Sequence, residues 1–189
     1  LFHPGHLTSV AELARETVAS PLVRYWSGSP YWLGPAGTDG TAGGSGVTAV
    51  TGGHAVKYSL VPRFDGAAPP DEPNNRSDDY LSQALAHYLR TQEVVFEFRV
   101  QLQTDPVAMP IEDTSVEWDE EVSKPIPVAT LTIGVQDVDS PDGRALAEGC
   151  ETMAFSPWNA LAEHRPLGGI NRLRQAVYLA SQAKRAAID

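Results

Sequence analysis

His164-Arg165-Pro166-Leu167-Gly168-Gly169-Ile170-Asn171-Arg172-Leu173-Arg174-Gln175-Ala176-Val177-Tyr178 is the stretch from which the rest of the chain is read. The glycine pair ends whatever precedes it, Asn171 is a suitable N-cap, and neither proline nor glycine follows before the last residue, Asp189. These signals predict a helix over 171–187. On a helix, residues four, seven and eleven apart lie close to one face. Arg174, Tyr178 and Arg185 have those spacings, so one stripe carries a guanidinium, a phenol and a second guanidinium. Leu173, Val177 and Ala180 lie beside that stripe and are expected to dock the helix on the core.

The chemistry of such a stripe has two readings. A guanidinium one turn before a phenol favours its ionised form, because an adjacent opposite charge stabilises an anion. A phenolate is a hard anionic ligand suited to ferric iron, and tyrosine is a known axial ligand of haem. An ordinary Arg–Tyr hydrogen bond on a helix surface is the commoner explanation of the spacing alone, and the helix by itself does not separate the two.

Working outward, Asp78 to Gln92 has Leu81, Leu85, Tyr88 and Leu89 along one stripe and predicts an amphipathic helix. Val94 to Gln103 alternates, with Phe96, Phe98, Val100 and Leu102 facing one way and Glu97, Arg99 and Gln101 the other, as a half-buried strand does. Ala55 to Val61 and Pro127 to Val135 predict further strands, the second bounded by Gly134 and a turn over Asp137–Gly143. Ala145 to Ala154 fits a helix or a strand equally. Ser9-Val10-Ala11-Glu12 is a capping box opening a helical lead-in that Pro21 ends, within residues 1–21. Residues 35–53 form a Gly-rich loop, 62–77 another loop, and the acidic run around Asp119 a solvated edge. Strands and separate helices in this order imply α+β with an antiparallel sheet, and the 189 residues suffice for one domain with a substantial core.

Composition narrows the classes. A formal charge of −10 argues against broad binding to nucleic acid or an anionic membrane surface. No apolar run approaches the roughly 20 residues that span a bilayer, and no signal-peptide pattern is present. The single cysteine, Cys150, excludes an internal disulfide, fits a reducing, cytoplasmic setting, and is expected as a small core residue. Asp137-x-Asp139-x-x-Asp142-Gly143 has its third carboxylate and glycine one position late for a calcium loop, so a turn is expected. His3-x-x-His6 lacks a third ligand nearby, the glycines at 37–46 lack a phosphate-cradle pattern, and Ser45 lacks a nucleophile elbow. His54 and His87 read as ordinary polar or half-buried residues.

Ala154-Phe155-Ser156-Pro157-Trp158-Asn159-Ala160-Leu161, then Glu163 to Arg172, ending in Arg174-x-x-x-Tyr178, resembles the haem-proximal segment of the catalase superfamily, and within it the small bacterial catalase-like and catalase-related peroxidase branch. Arg24-Tyr25-Trp26, Ser29-Pro30-Tyr31, Ala55 to Tyr58 and Phe96 to Leu102 resemble the same branch in the same order, so the likeness covers most of 22–186. The resemblance implies an antiparallel β-barrel-type sheet with flanking helices, of which this chain is the C-terminal half. It implies haem b, with Tyr178 as proximal iron ligand, Arg174 hydrogen-bonding it, Arg185 on a haem propionate and Phe155 as an apolar neighbour.

The family's distal segments, a histidine in a Val-His-Ala-type context and a later asparagine, have no counterpart, and His3 and His6 do not resemble them. The expectation is one wall of a haem pocket, completed by a second polypeptide in a heterodimer or by a missing N-terminal segment. A first residue of Leu1 rather than methionine fits processing or loss upstream. The implied activity is oxidoreduction of hydrogen peroxide or an organic hydroperoxide. The alternatives are a haem enzyme oxidising or rearranging a small metabolite, and a haem-free catalase-fold scaffold or regulatory subunit.

Overall fold

The computed structural model describes residues 18, 20–35, 52–64 and 77–186. The lead-in helix expected after Ser9, His3 and His6, Ser45 and most of the Gly-rich loop lie outside those residues. The described elements are β1 (Tyr25–Trp26), β2 (Tyr31–Leu33), β3 (His54–Arg63), α1 (Tyr80–Leu89), β4 (Val94–Leu102), β5 (Ile126–Ile133), α2 (Pro141–Glu151), a 3-10 turn (Ala162–His164) and α3 (Gly168–Ala186). The strand order is β1-β3-β4-β5, with β2 also paired to β3. That pairing is antiparallel, in the register Tyr31↔Val56, Trp32↔Ala55 and Leu33↔His54. The class is α+β, as the alternation of patterns predicts. Among the described residues the strand path runs from β1 to β5 without closing into a barrel.

The chain divides into two compact units. The first gathers Leu1–Tyr25, Leu60–Arg99 and Pro127–Thr152. Its core is Leu22, Leu89, Val94 and Phe96, lined by Leu60, Phe64, Leu85, Tyr88, Ile133 and Val138. Of the predicted stripe of α1, Leu85, Tyr88 and Leu89 do the packing. At the start of α1 the Asp79 carboxylate accepts hydrogen bonds from Ser77 Oγ at 2.7 Å and Gln83 Nε2 at 2.8 Å. These two bonds, Ser77's foremost, hold it below the ordinary carboxylate range.

The ambiguous stretch after Asp137 is helical for a local reason. Ser140 caps α2 by accepting from Gly143 N at 3.0 Å, and Pro141 sets the first turn. The acidic residues of the turn serve the fold: Arg90 pairs with Asp137 at 3.4 Å and with Asp139. Among the described residues no cluster of three His, Cys, Asp or Glu side chains could hold a metal ion. α2 buries none of its residues, and Cys150 is exposed rather than in a core. β5 is open to solvent from Ile126 to Thr132, so its apolar residues Val128 and Leu131 are uncovered.

The second unit gathers Trp26–Ser59, Val100–Ile126 and Met153–Asp189. Ala55, Met109 and Trp118 form its core, with Ile111 and Leu167 against them. The acidic run is only partly a solvated edge, because Trp118 turns inward and donates its indole N–H to Pro110 O at 3.2 Å. Gln101, expected on the polar face of β4, is buried. Its Nε2 lies 3.1, 3.3 and 3.0 Å from the carbonyls of Trp118, Asp119 and Ser123, and these bonds offset the penalty of burying an amide.

Candidate functional site

The site is built where residues 163–167 run alongside β2. Trp32 N donates to Arg165 O at 2.8 Å, Gly34 N to Glu163 O at 3.1 Å and Leu167 N to Pro30 O at 3.0 Å. Tyr31 and Pro166 form an antiparallel bridge, and the Arg165 guanidinium lies over the Trp32 ring at 4.7 Å. The chain then turns at Gly168, whose φ of 83° lies in the left-handed region that favours glycine. Gly169 N donates to Glu112 Oε2 at 2.8 Å, placing a carboxylate at the start of α3.

α3 starts at Gly168, three residues before the expected cap, so Asn171 lies within the first turn and is not the N-cap. It is completely buried. Asn171, Arg174, Tyr178, Gln182 and Arg185 make up the buried and half-buried side of the helix. The expectation that Leu173, Val177 and Ala180 dock the helix is overturned: Leu173 is 68% and Val177 58% exposed, and Ala180 is exposed too. The neighbouring surface explains the inversion. Ser29 Oγ and the Pro30 carbonyl offer hydrogen bonds, which the polar stripe can satisfy and the apolar stripe cannot.

Four side chains meet there. Arg174 Nη2 donates to Tyr178 Oη at 3.1 Å, and Nη1 donates to Ser29 Oγ at 2.9 Å and Asn171 Oδ1 at 3.1 Å. Ser29 Oγ donates to Asn171 Oδ1 at 2.9 Å. Asn171 Nδ2 donates to Pro30 O at 2.9 Å and Leu167 O at 2.7 Å. The Arg174 guanidinium carbon lies 5.3 Å from the Tyr178 ring centre. The bond to Tyr178 is the main cause holding Arg174 above the ordinary arginine range, partial burial opposes it, and the neighbouring Tyr31 adds to it. Tyr31 packs on Tyr58 with ring centres 5.2 Å apart, and burial, then the neighbouring Tyr31, pushes the Tyr58 phenol up.

The other two expected site residues stand nearby in the chain. Arg185 is half-buried, donates from Nη2 to Ser181 Oγ at 3.4 Å, and has its Nε shut away from solvent with no hydrogen-bond partner among the described residues. Phe155 is joined to α3 through its carbonyl, which accepts from Gln182 Nε2 at 3.0 Å, while its ring is 55% exposed. Sequence reasoning left Ser29 and Tyr31 without a role and gave Asn171 only that of an N-cap. Ser29 and Asn171 are 142 positions apart, and no local pattern in the sequence joins them. The groups the expected site residues offer are a phenol oxygen bonded to a guanidinium, an Arg185 Nε–H without a partner among the described residues, and an exposed phenyl ring. A ferric porphyrin with its carboxylates would call on an anionic oxygen, a cationic N–H and an apolar surface.

This arrangement of strands and helices is a catalase-like fold. The solved structures that it resembles include a fungal catalase, at a TM-score of 0.62 and 14% identity over 89% of this chain and 32% of that one. A bacterial catalase matches at 0.62 and 15%, over 96% of this chain and 34% of that one. Catalase A from Saccharomyces cerevisiae matches at 0.59 and 13%, over 89% and 33%. The chain therefore spans about a third of the length of these catalases. No protein-family model matches the sequence, and no curated protein is matched by it.

Proposed function

We propose that this chain supplies the proximal wall of a haem pocket in a cytoplasmic oxidoreductase of catalase or peroxidase type. The observation that carries the reading is the 3.1 Å bond from Arg174 Nη2 to Tyr178 Oη, on a helix that turns its polar stripe inward. Tyr178 is the iron ligand, and Arg174 stabilises its anionic oxygen. Arg185 holds a propionate through the N–H that has no other partner among the described residues, and Phe155 covers porphyrin edge. Bound haem would supply the chemistry of peroxide O–O cleavage, with hydrogen peroxide or an organic hydroperoxide as substrate and oxidation or rearrangement of a small metabolite as the alternative. The distal wall comes from a second polypeptide or from a segment outside this sequence. The share of the catalases covered, 32–34%, and the uncovered apolar residues of β5 and α3 support that division.

The test is haem titration of the purified chain, alone and with co-purifying chains identified by native mass spectrometry. A Soret band that is lost or strongly altered in Tyr178→Phe supports the reading. Absence of bound haem under haem-replete expression with the complete complex overturns it, and leaves a catalase-fold scaffold or regulatory subunit.

A further inference from the structure

Among the described residues the hydrogen-bond partners of Arg174 are Ser29, Asn171 and Tyr178, none of them a carboxylate. Guanidinium groups held in place inside proteins commonly meet a carboxylate, which fixes the fork bidentately and also neutralises it. Here the same fixing is done by an amide oxygen and a hydroxyl. The orientation of that amide is itself determined: Nδ2 of Asn171 must face two acceptors, the carbonyls of Pro30 and Leu167, so Oδ1 must face Ser29 and Arg174. Asn171 itself is completely buried, so its amide is shielded from water.

We infer that Asn171 and Ser29 are positioning residues that occupy Arg174 Nη1, so that Nη2 is aimed at Tyr178 with no carboxylate among the described residues to neutralise the guanidinium. This rests on the reading of Tyr178 as an iron ligand. A hydrogen bond from a full positive charge withdraws electron density from a phenolate more than one from a neutralised ion pair. Second-sphere hydrogen bonding of this kind is one of the levers by which a protein sets the potential of a haem iron.

Two measurements separate the inference from the reading beneath it. In the full chain without haem, nitrogen NMR of the Arg174 guanidinium, assigned by Arg174→Lys, should show Nη1 and Nη2 as separate resonances. They should merge in Ser29→Ala and in Asn171→Ala, since rotation about the Nε–Cζ bond, which interchanges the two nitrogens, is then released. Ser29→Ala carries the test alone if Asn171→Ala does not fold. In the haem-loaded protein, Ser29→Ala should lower the reduction potential in the same direction as Arg174→Gln and by less. Averaged resonances in the parent, or separate ones retained in Ser29→Ala, overturn the inference. A potential in Ser29→Ala equal to the parent's overturns it also. If the resonances behave as described but Tyr178→Phe leaves the haem spectrum unchanged, the positioning of Arg174 stands and the ligand reading fails.

Discussion

The backbone of Gly53 lies against the indole of Trp32: a β-carbon at position 53 would stand 2.2 Å from Trp32 Cζ2 and 2.3 Å from Cε2. Trp32 cannot retreat easily, because it is buried in β2 and its ring carries the Arg165 guanidinium on one face. Gly34, at a φ of 142°, is close to the same glycine, and a β-carbon on it would lie 2.3 Å from Gly53 Cα.

Gly53→Ala should therefore destabilise the chain by about 1–3 kcal/mol, the usual range for overpacking a filled site. Thermal unfolding followed by circular dichroism reads this as a lowered Tm. Gly28→Ala is the control, since a β-carbon there meets nothing within 4 Å. Equal Tm values for the two variants would show that the indole moves aside freely.

A second expectation concerns Gln101, whose Nε2 serves the carbonyls of Trp118, Asp119 and Ser123. Gln101→Leu keeps the bulk and strips those acceptors of a common donor. Leaving buried carbonyls unsatisfied costs about 1–3 kcal/mol. The urea midpoint should fall with an unchanged slope, since the compactness of the two states is unaltered. A midpoint equal to the parent's would mean that water or backbone movement replaces the amide.

These cases show what the sequence could and could not disclose. β3, β4, β5, α1 and the Arg174–Tyr178 pair were legible because each depends on spacing within one segment, and spacing is what periodicity reports. The side on which α3 packs was not legible. Hydrophobicity places Leu173 and Val177 inward, whereas the hydrogen bonds of Asn171 and Arg174 to Ser29 and the Pro30 carbonyl turn them out. Those partners lie more than 140 positions away, and no local pattern announces them. Gln101 escaped for the same reason: alternation marks it polar, while its carbonyl partners come from a loop 17–22 positions later.

The turned-out stripe has a measurable consequence. On an ordinary amphipathic helix, Leu→Glu on the apolar side removes packing and destabilises by several kcal/mol. For Leu173→Glu in this chain the change in unfolding free energy should stay within about 0.5 kcal/mol, as for surface sites. The variant should also be more soluble, because an exposed apolar residue has been replaced by a charge. A large loss of stability in chemical denaturation would show that Leu173 is covered in solution.

Alkaline pH provides the last expectation. Burial, then the adjacent Tyr31, raises the Tyr58 phenol above the ordinary value of 10.0, so the folded chain retains a proton that the unfolded chain gives up. With the folded value above the unfolded one, this contribution to stability is fully present below pH 10.0 and is lost as the pH rises through the folded value. Tyr58→Phe removes the titrating oxygen and keeps the ring on Tyr31. Plotted against pH, unfolding free energy should therefore decline less steeply above neutrality-to-alkaline crossover in Tyr58→Phe than in the parent, while the two curves run parallel below it. Other tyrosines and lysines titrate in the same region, so the difference between the curves is the quantity that reports Tyr58. Curves that remain parallel across the alkaline range would show that the half-buried phenol gains no proton affinity on folding, and that the Tyr31–Tyr58 stack is open to water.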